Sequence, residues 1–327
     1  MRARTTKSRP GAGGLARTWR SRVRAGRVRP GSPGQGACAE HGRARRPPAP
    51  YSFGKEVAHA RPIMARDSLK TTSPHPIPAR ESAGRGLAEE VTARLRARIA
   101  AHREAGSTPF ITLTYAQSLD GCIAVRRGRP LALSGWDAQL LTHMLRAAHD
   151  AILVGVGTVL SDDPRLTVRM VDGADPIPIV VDSRARTPTG ARLLSHPTRR
   201  PVIATTDAAA PGASAALERA GARVVRFPSD PRGRVDLDAL LEWLAGEGIS
   251  SVMVEGGARV ITSFLRARRV DHMIVTVASM LVGGLRAVGP LAAQGRDRTW
   301  PQRLDRIEAF RLGDDVVVSG APCWVEP

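Results

Sequence analysis

The sequence predicts an α/β fold: a largely parallel sheet covered by helices on both faces in three α/β/α layers, closed by an antiparallel hairpin at one edge. Three observations predict it. From residue 110 onward, short β-forming runs alternate with stretches of helical spacing. Runs such as Ala151-Ile152-Leu153-Val154-Gly155 and Ser251-Val252-Met253-Val254 are apolar almost throughout, as strands buried on both faces are. Only the end of the chain has two β-like runs joined by a tight turn, around Gly313-Asp314-Asp315.

The elements follow in order. Residues 1–85 read as disordered: Gly, Pro, Ser and Arg recur without period, and few large apolar side chains offset chain entropy. Three readings of that segment stay open: a basic tail, an Arg-rich targeting peptide, or a mis-assigned start with Met64 as the alternative. Leu87, Val91, Leu95 and Ile99 recur every fourth residue, so residues 86–108 read as a helical connector ending at Gly106-Ser107-Thr108-Pro109. The domain proper is expected over 109–327. Its first strand is 110–116; a helix follows, with Trp136, Leu140, Leu141, Met144, Leu145 and Ala148 at helical spacing and Ser134 as N-cap. Strands are expected at 151–155, 178–181, 201–205, 223–227, 251–254 and 272–277. Helices are expected at 213–220, behind Asp236, and after Gly256-Gly257. The hairpin pairs 308–312 with 316–319.

Composition narrows the function. The chain of 327 residues carries 49 Lys and Arg against 30 Asp and Glu, a net +19, which by itself suggests a nucleic-acid partner. The charge is unevenly placed. Residues 1–100 hold 22 basic and 6 acidic side chains, whereas 101–327 hold 27 and 24, so the body is close to neutral. A nucleic-acid-binding module built on residues 1–85 is the rival from another class; two Tyr, five Trp and five Phe are few for base stacking. The longest largely apolar runs, 151–160 and 273–285, fall short of the roughly 20 residues a membrane-spanning helix needs. Cys38, Cys122 and Cys323 are far apart, with no C-x-x-C pair, so neither a disulfide scaffold nor a metal site is expected. Free thiols fit a reducing compartment, and the expected location is the cytoplasm.

In open parallel sheets ligands bind beyond the carboxyl ends of strands, where helix N-termini point. Three loops meet that condition. Val254-Glu255-Gly256-Gly257-Ala258 ends a strand in a carboxylate and enters a helix through two glycines. Such a turn either lets a backbone approach an anion or simply needs positive φ. It is not G-x-G-x-x-G. Gly155-Val156-Gly157-Thr158 leads to Ser161-Asp162-Asp163-Pro164, as a second phosphate loop or as plain turn chemistry. Asp182-Ser183-Arg184 follows a third strand, where serine and arginine suit a ribose 2′-phosphate. Asp120, in Leu119-Asp120-Gly121, is either a proton relay or an ordinary turn aspartate. Arg146 and Arg169 are candidate phosphate ligands or surface charges. His143 and His149 read as structural or exposed. No G-x-S-x-G elbow or P-loop occurs.

Taken together, PFITLTYAQSLDG (109–121), LRAAHDAILVGVGTVLSDDPRLTVR (145–169), Val181-Asp182-Ser183-Arg184 and Val254-Glu255-Gly256-Gly257-Ala258 resemble the riboflavin-biosynthesis pyrimidine reductases. That family is the C-terminal reductase domain of a bifunctional deaminase-reductase and is similar in fold to dihydrofolate reductase. The resemblance implies an NADPH-dependent reduction of the ribosyl group of a phosphoribosylamino-pyrimidine to ribityl, and a homodimer. It implies cofactor contacts at Gly157, Thr158, Asp162, Asp182, Ser183, Arg184, Gly256, Gly257 and Ala258. It implies substrate contacts at Ser134, Arg146, Leu166, Arg169 and Glu255, with Asp120 or Glu255 supplying a proton. The chain departs from many relatives at Leu131-Ala132-Leu133, where tryptophan is frequent, and at Cys122, where lysine is. No H-x-E with a P-C-x-x-C partner precedes the domain, so no deaminase is expected. A same-fold reductase for another heterocycle, such as a pterin, is the nearest rival.

Overall fold

A computed structural model describes residues 79–105, 108–291 and 301–324, all within one compact unit, Thr71–Pro327. The basic segment up to residue 78, with Met64, lies outside the described residues. The chain order is α1 (Ala79–Ala105), β1 (Phe110–Ser118), β2 (Cys122–Ala124), α2 (Trp136–Ala147), β3 (Ala151–Gly155), α3 (Val156–Asp162) and β4 (Ile177–Val181). A short 3-10 turn, Arg192–Ser195, precedes β5 (Val202–Thr205), α4 (Pro211–Arg219), β6 (Arg223–Arg226), α5 (Leu237–Gly246) and β7 (Ser251–Val254). The chain closes with α6 (Ala258–Arg266), β8 (His272–Ala278), β9 (Leu285–Arg286), β10 (Pro301–Leu312) and β11 (Asp315–Trp324).

Nine strands form one sheet in the order β10-β11-β8-β1-β7-β3-β4-β5-β6. The seven from β8 to β6 run parallel, and β11 and β10 add the antiparallel edge. Strand alternation sorts the core into layers. Ile111, Leu113, Leu153, Val252 and Val254 face Leu240, Leu244, Ile261 and Phe264 of α5 and α6. On the other face, Phe110 and Met253 pack against α1 and α2, while Ile152, Val154 and Val180 pack beside α3 and Leu217 of α4.

Four expectations need correction. The first helix begins at Ala79, not 86, and is no mere connector. Its Ala88, Val91, Leu95 and Ile99 are buried with Leu140, Leu141 and Met144 of α2, and Arg94 bonds Glu308 on β10 at 2.6 Å. Ser134 does not cap α2. The N-cap is Gly135, whose N–H donates to the Asp315 carboxylate at 2.9 Å, and no side chain caps the helix. The loop after β3 is in fact a helix, α3, entered directly from the strand and held by buried Val156 and Val159. The hairpin is longer at both ends than its apolar runs indicate, and β2 pairs with β9 outside the main sheet.

Candidate active site

β7, β3 and β4 are neighbours, so the loops leaving their carboxyl ends lie side by side. They line a cleft of about 1130 Å³, larger than the ~300–1,000 Å³ of ordinary small-molecule sites. Gly157, Thr158 and Asp162 of α3 line it, as do Ser183 and Arg184 after β4, and Gly257 and Ala258 at the start of α6.

Two residues expected there are used differently. Asp182 is fully buried, and one carboxylate oxygen accepts from the Thr187 N–H (2.7 Å) and hydroxyl (2.9 Å). It closes its own turn and leaves Ser183, Arg184 and the exposed Arg186 outward. Ser183 Oγ accepts from the Val235 N–H at 3.0 Å, which ties this loop to the opposite wall. Gly256 serves packing. A Cβ there would meet Val260 Cβ at 2.7 Å, and a Cβ on Gly155 would meet Val260 Cγ2 at 2.7 Å. Neither Gly256 nor Gly257 has positive φ, so close approach, not turn geometry, explains the first of the pair.

The cleft is strongly cationic. Arg127 lies on the loop after β2, Arg186 after β4, Arg234 before α5, and Arg259 on α6. Arg127 first, then burial, Arg186 and Arg234, lower the proton affinity of Arg259. Burial, Arg232 and Arg234 do the same to Arg266. Cations crowded this way favour an anion between them. Of the arginines that line this cleft, the sequence singled out Arg184 as a coenzyme contact and none of these. The run Arg126-Arg127-Gly128-Arg129 was a visible charge signal, but its convergence with Arg259 depends on the tertiary fold.

A second cluster adjoins the Gly256-Gly257 turn. Arg146, 8% exposed, grips both Glu255 oxygens (2.9 and 2.7 Å) and donates to the Thr167 carbonyl (3.1 Å). Burial alone would lower the proton affinity of Arg146, and Glu255 reverses the direction. Leu166 is buried in a left-handed conformation, φ +59°. Arg169 is exposed, and burial together with Arg146, Arg165 and Arg192 lowers its proton affinity. Ser134 is half-buried, and its carbonyl accepts from Gln139 Nε2.

Asp120 lies in neither cluster. Its carboxylate accepts from Ser118 Oγ (2.5 Å), Val282 N–H (3.0 Å) and Gly283 N–H (2.6 Å). Those bonds, Ser118 foremost, hold it far below the usual carboxylate range. It ties the β1–β2 turn to the loop after β8. Cys122 is buried beside it, accepting from the Gly284 N–H at 3.1 Å. Among the described residues no group of three or more His, Cys, Asp or Glu could hold a metal ion, and no helix is long and apolar enough to cross a membrane.

The RibD C-terminal domain family matches residues 109–318. The chain belongs to this family. Within it, the 2,5-diamino-6-ribosylamino-4(3H)-pyrimidinone 5′-phosphate reductase of Methanothermobacter thermautotrophicus is 40% identical over 216 residues, which cover 64% of this chain and 96% of that protein. The enzyme of the same name from Archaeoglobus fulgidus is 35% identical, over 64% of this chain and 97% of its own. The solved structure of the riboflavin biosynthesis reductase Rib7 of Saccharomyces cerevisiae superposes with a TM-score of 0.54 at 30% identity, covering 67% of this chain and 91% of that one. Against the RibD protein of Aquifex aeolicus the chain spans 57% of that longer protein at 32% identity. The fold is thus the dihydrofolate-reductase-like α/β/α arrangement of RibD-type reductases.

Proposed function

We propose that this RibD C-terminal domain protein is an NADPH-dependent reductase of riboflavin biosynthesis, converting the ribosyl group of 2,5-diamino-6-ribosylamino-4(3H)-pyrimidinone 5′-phosphate to ribityl. One observation carries the proposal: an arginine-lined cleft at the carboxyl ends of β3, β4 and β7, in a chain that matches almost the whole length of reductases so named. A cytoplasmic homodimer is part of this reading on the strength of the family resemblance.

The residues present fit the coenzyme. The cleft is roomy enough for a dinucleotide, and the start of α6 at Gly257 and Ala258 opens into it. The acid that would oppose a 2′-phosphate, Asp182, is buried and turned away, whereas Arg184, Arg186 and Arg259 face the cleft. When bound, the reduced nicotinamide supplies a hydride for C1′ of the opened sugar. The protein's part is orientation and charge. Thr158, Asp162, Ser183 and the α6 start hold the coenzyme. Arg169 meets the substrate phosphate with Leu166 beside it, and Ser134 completes the substrate's surroundings. The Arg146–Glu255 pair forms a fixed polar wall.

The proton is the step where the expectation changes. Asp120 is held ionised by four donors, Ser118, Val282, Gly283 and Cys122, and is a poor acid. Both oxygens of Glu255 are occupied by Arg146. In this reading solvent delivers the proton, and Glu255 orients the substrate through Arg146. The test is loss of NADPH absorbance on mixing purified protein with the diaminopyrimidinone phosphate. No loss with this substrate, and loss with a pterin, would move the assignment to the same-fold rival. Arg259→Ala should weaken NADPH about ten- to hundredfold and leave NADH nearly unchanged, since one charge-assisted contact is worth ~1.5–3 kcal/mol.

A further inference from the structure

The arm that carries Arg169 is held by side chains. Between α3 and β4, residues 163–176 belong to no helix or strand. Three consecutive residues are nonetheless captured one by one through their main chain. The Thr167 carbonyl accepts from Arg146 Nη1 at 3.1 Å, the Val168 N–H donates to Asp175 Oδ1 at 2.6 Å, and the Arg169 N–H donates to His143 Nδ1 at 3.0 Å. Leu166, just before them, has φ +59°, a conformation that costs a branched residue free energy and persists only where the surroundings over-determine it.

His143 is 4% exposed and lies three residues before Arg146 on α2, so one helix face grips both Thr167 and Arg169. Because Nδ1 accepts, the ring is neutral and its proton is on Nε2. The charged groups facing the ring are Arg146, Arg169, Glu255 and Asp175; burial and the two arginines outweigh the two acids and hold its pKa at about 4. Among the described residues the Arg169 guanidinium is tied only to Thr167, through Nη1, with Oγ1 at 3.0 Å. Its remaining N–H groups are free to meet an anion.

We infer that His143 is a positioning residue: as a neutral acceptor it fixes the main chain at Arg169 and so aims that guanidinium at the phosphate of the substrate. The inference rests on the reductase reading above. A ring-filling role alone would need no acceptor facing the Arg169 N–H. Protonation at Nδ1 would turn the acceptor into a donor pointing at a donor, and the arm would be released in acid.

The experiment compares His143→Leu, which removes the acceptor, with His143→Asn, whose Oδ1 takes the place of Nδ1. Full-length proteins are assayed with NADPH and the pyrimidine substrate, with and without its 5′-phosphate. His143→Leu should raise KM for the phosphorylated substrate about tenfold, leaving kcat, the KM of NADPH and all constants for the dephosphorylated substrate near wild type. His143→Asn should stay within about threefold of wild type and lose the acid limb of kcat/KM. An unchanged KM in His143→Leu, an equal loss in both variants, or a loss shared by substrate and coenzyme would overturn the inference. A second measurement needs neither variant nor turnover: in wild-type protein the Arg169 amide proton resonance should titrate together with the His143 ring. Independent titration overturns the contact. If wild-type protein does not turn the substrate over, the reductase reading falls, and the resonance still decides whether His143 governs the arm.

Discussion

Val260 on α6 is wedged between two glycines, and the wedge predicts an asymmetric pair of double-mutant cycles. Adding a Cβ at Gly155 places it 2.7 Å from Val260 Cγ2 and 4.0 Å from Val260 Cβ. Adding one at Gly256 places it 2.7 Å from Val260 Cβ and 2.8 Å from Cγ1. Ordinary carbon contacts are roughly 3.5–4.0 Å, so each alanine demands about 1 Å of movement. Val260 is β-branched and cannot swing its methyls aside freely. Overpacking of this kind costs about 1–3 kcal/mol. Gly155 is extended (φ −89°) and Gly256 lacks positive φ, so each substitution regains ~0.4–1 kcal/mol from the unfolded chain. The net expectation is a loss of roughly 1–2 kcal/mol for Gly155→Ala and for Gly256→Ala, or about 2–8 °C in Tm. Val260→Ala alone should cost about 1 kcal/mol for two half-buried methyls. It removes Cγ2, so Gly155→Ala with Val260→Ala should be no less stable than Val260→Ala. It keeps Cβ, so it should not rescue Gly256→Ala. Urea unfolding of the five variants measures both couplings. Equal rescue at the two positions, or no loss in either alanine variant, would refute the packing argument and return the Gly256 position to ligand approach.

Two further outcomes are expected. Asp120→Asn should leave kcat within about threefold of wild type, because Asp120 joins loops and, in the reading proposed above, gives no proton. Amide exchange at Val282 and Gly283, whose N–H groups it accepts, should speed up; a collapse of kcat with those amides still protected would reinstate it as the acid. Acid should destabilise the fold through His149 and His272. His149 donates from Nδ1 to the Leu145 carbonyl and accepts at Nε2 from Thr112, both at 2.7 Å. Burial drives its pKa down to about 4, and burial with Arg98 and His149 does the same to His272. In the unfolded chain both titrate near ~6.5, so between these values the unfolded state holds more protons. Their contribution is complete above about pH 6.5 and is lost as pH falls towards 4, by up to ~1.4 kcal/mol per pH unit for each ring. Denaturant midpoints at pH 7 and pH 5 measure it, and a flat profile in wild type, or one unaltered in His149→Gln, sinks the assignment.

Local signals carried the parallel strands well. β3, β4, β5, β7 and β8 lie within about a residue of their apolar runs, because a strand buried on both faces leaves its mark in its own few residues. Elements whose partners are distant in sequence left no such mark. β2 and β9 are three and two residues long and pair across some 160 positions, too short for any periodicity. The N-cap of α2 is Gly135 rather than Ser134, and the Gly135 N–H is anchored by Asp315, 180 residues away, a contact no local pattern records. α3 reads as a turn because Gly155 and Gly157 bracket its start. It is helical because burying Val156 and Val159 offsets the weak propensity of its glycine.

The site was legible to the same extent and for the same reason. Residues that follow a strand directly, such as Thr158, Ser183 and Gly257, reach the cleft because topology puts every such loop at one end of the sheet. What those residues do there depends on neighbours the local sequence does not name. Asp182 is in the right loop, yet Thr187 turns it inward. Glu255 ends the right strand, yet Arg146 of α2 occupies both its oxygens. In the reductase reading each diversion keeps a carboxylate off the path of a phosphorylated ligand. Arg146 stays paired with Glu255 and Arg234 with Asp230, whereas Arg259 and Arg169, crowded by those arginines, make no ion pair of their own among the described residues and are left for that ligand. A basic cleft of this kind is built as much by withdrawing carboxylates as by adding guanidinium groups. Restoring an accessible acid at Arg184 should therefore weaken a 2′-phosphorylated coenzyme more than removing the arginine does.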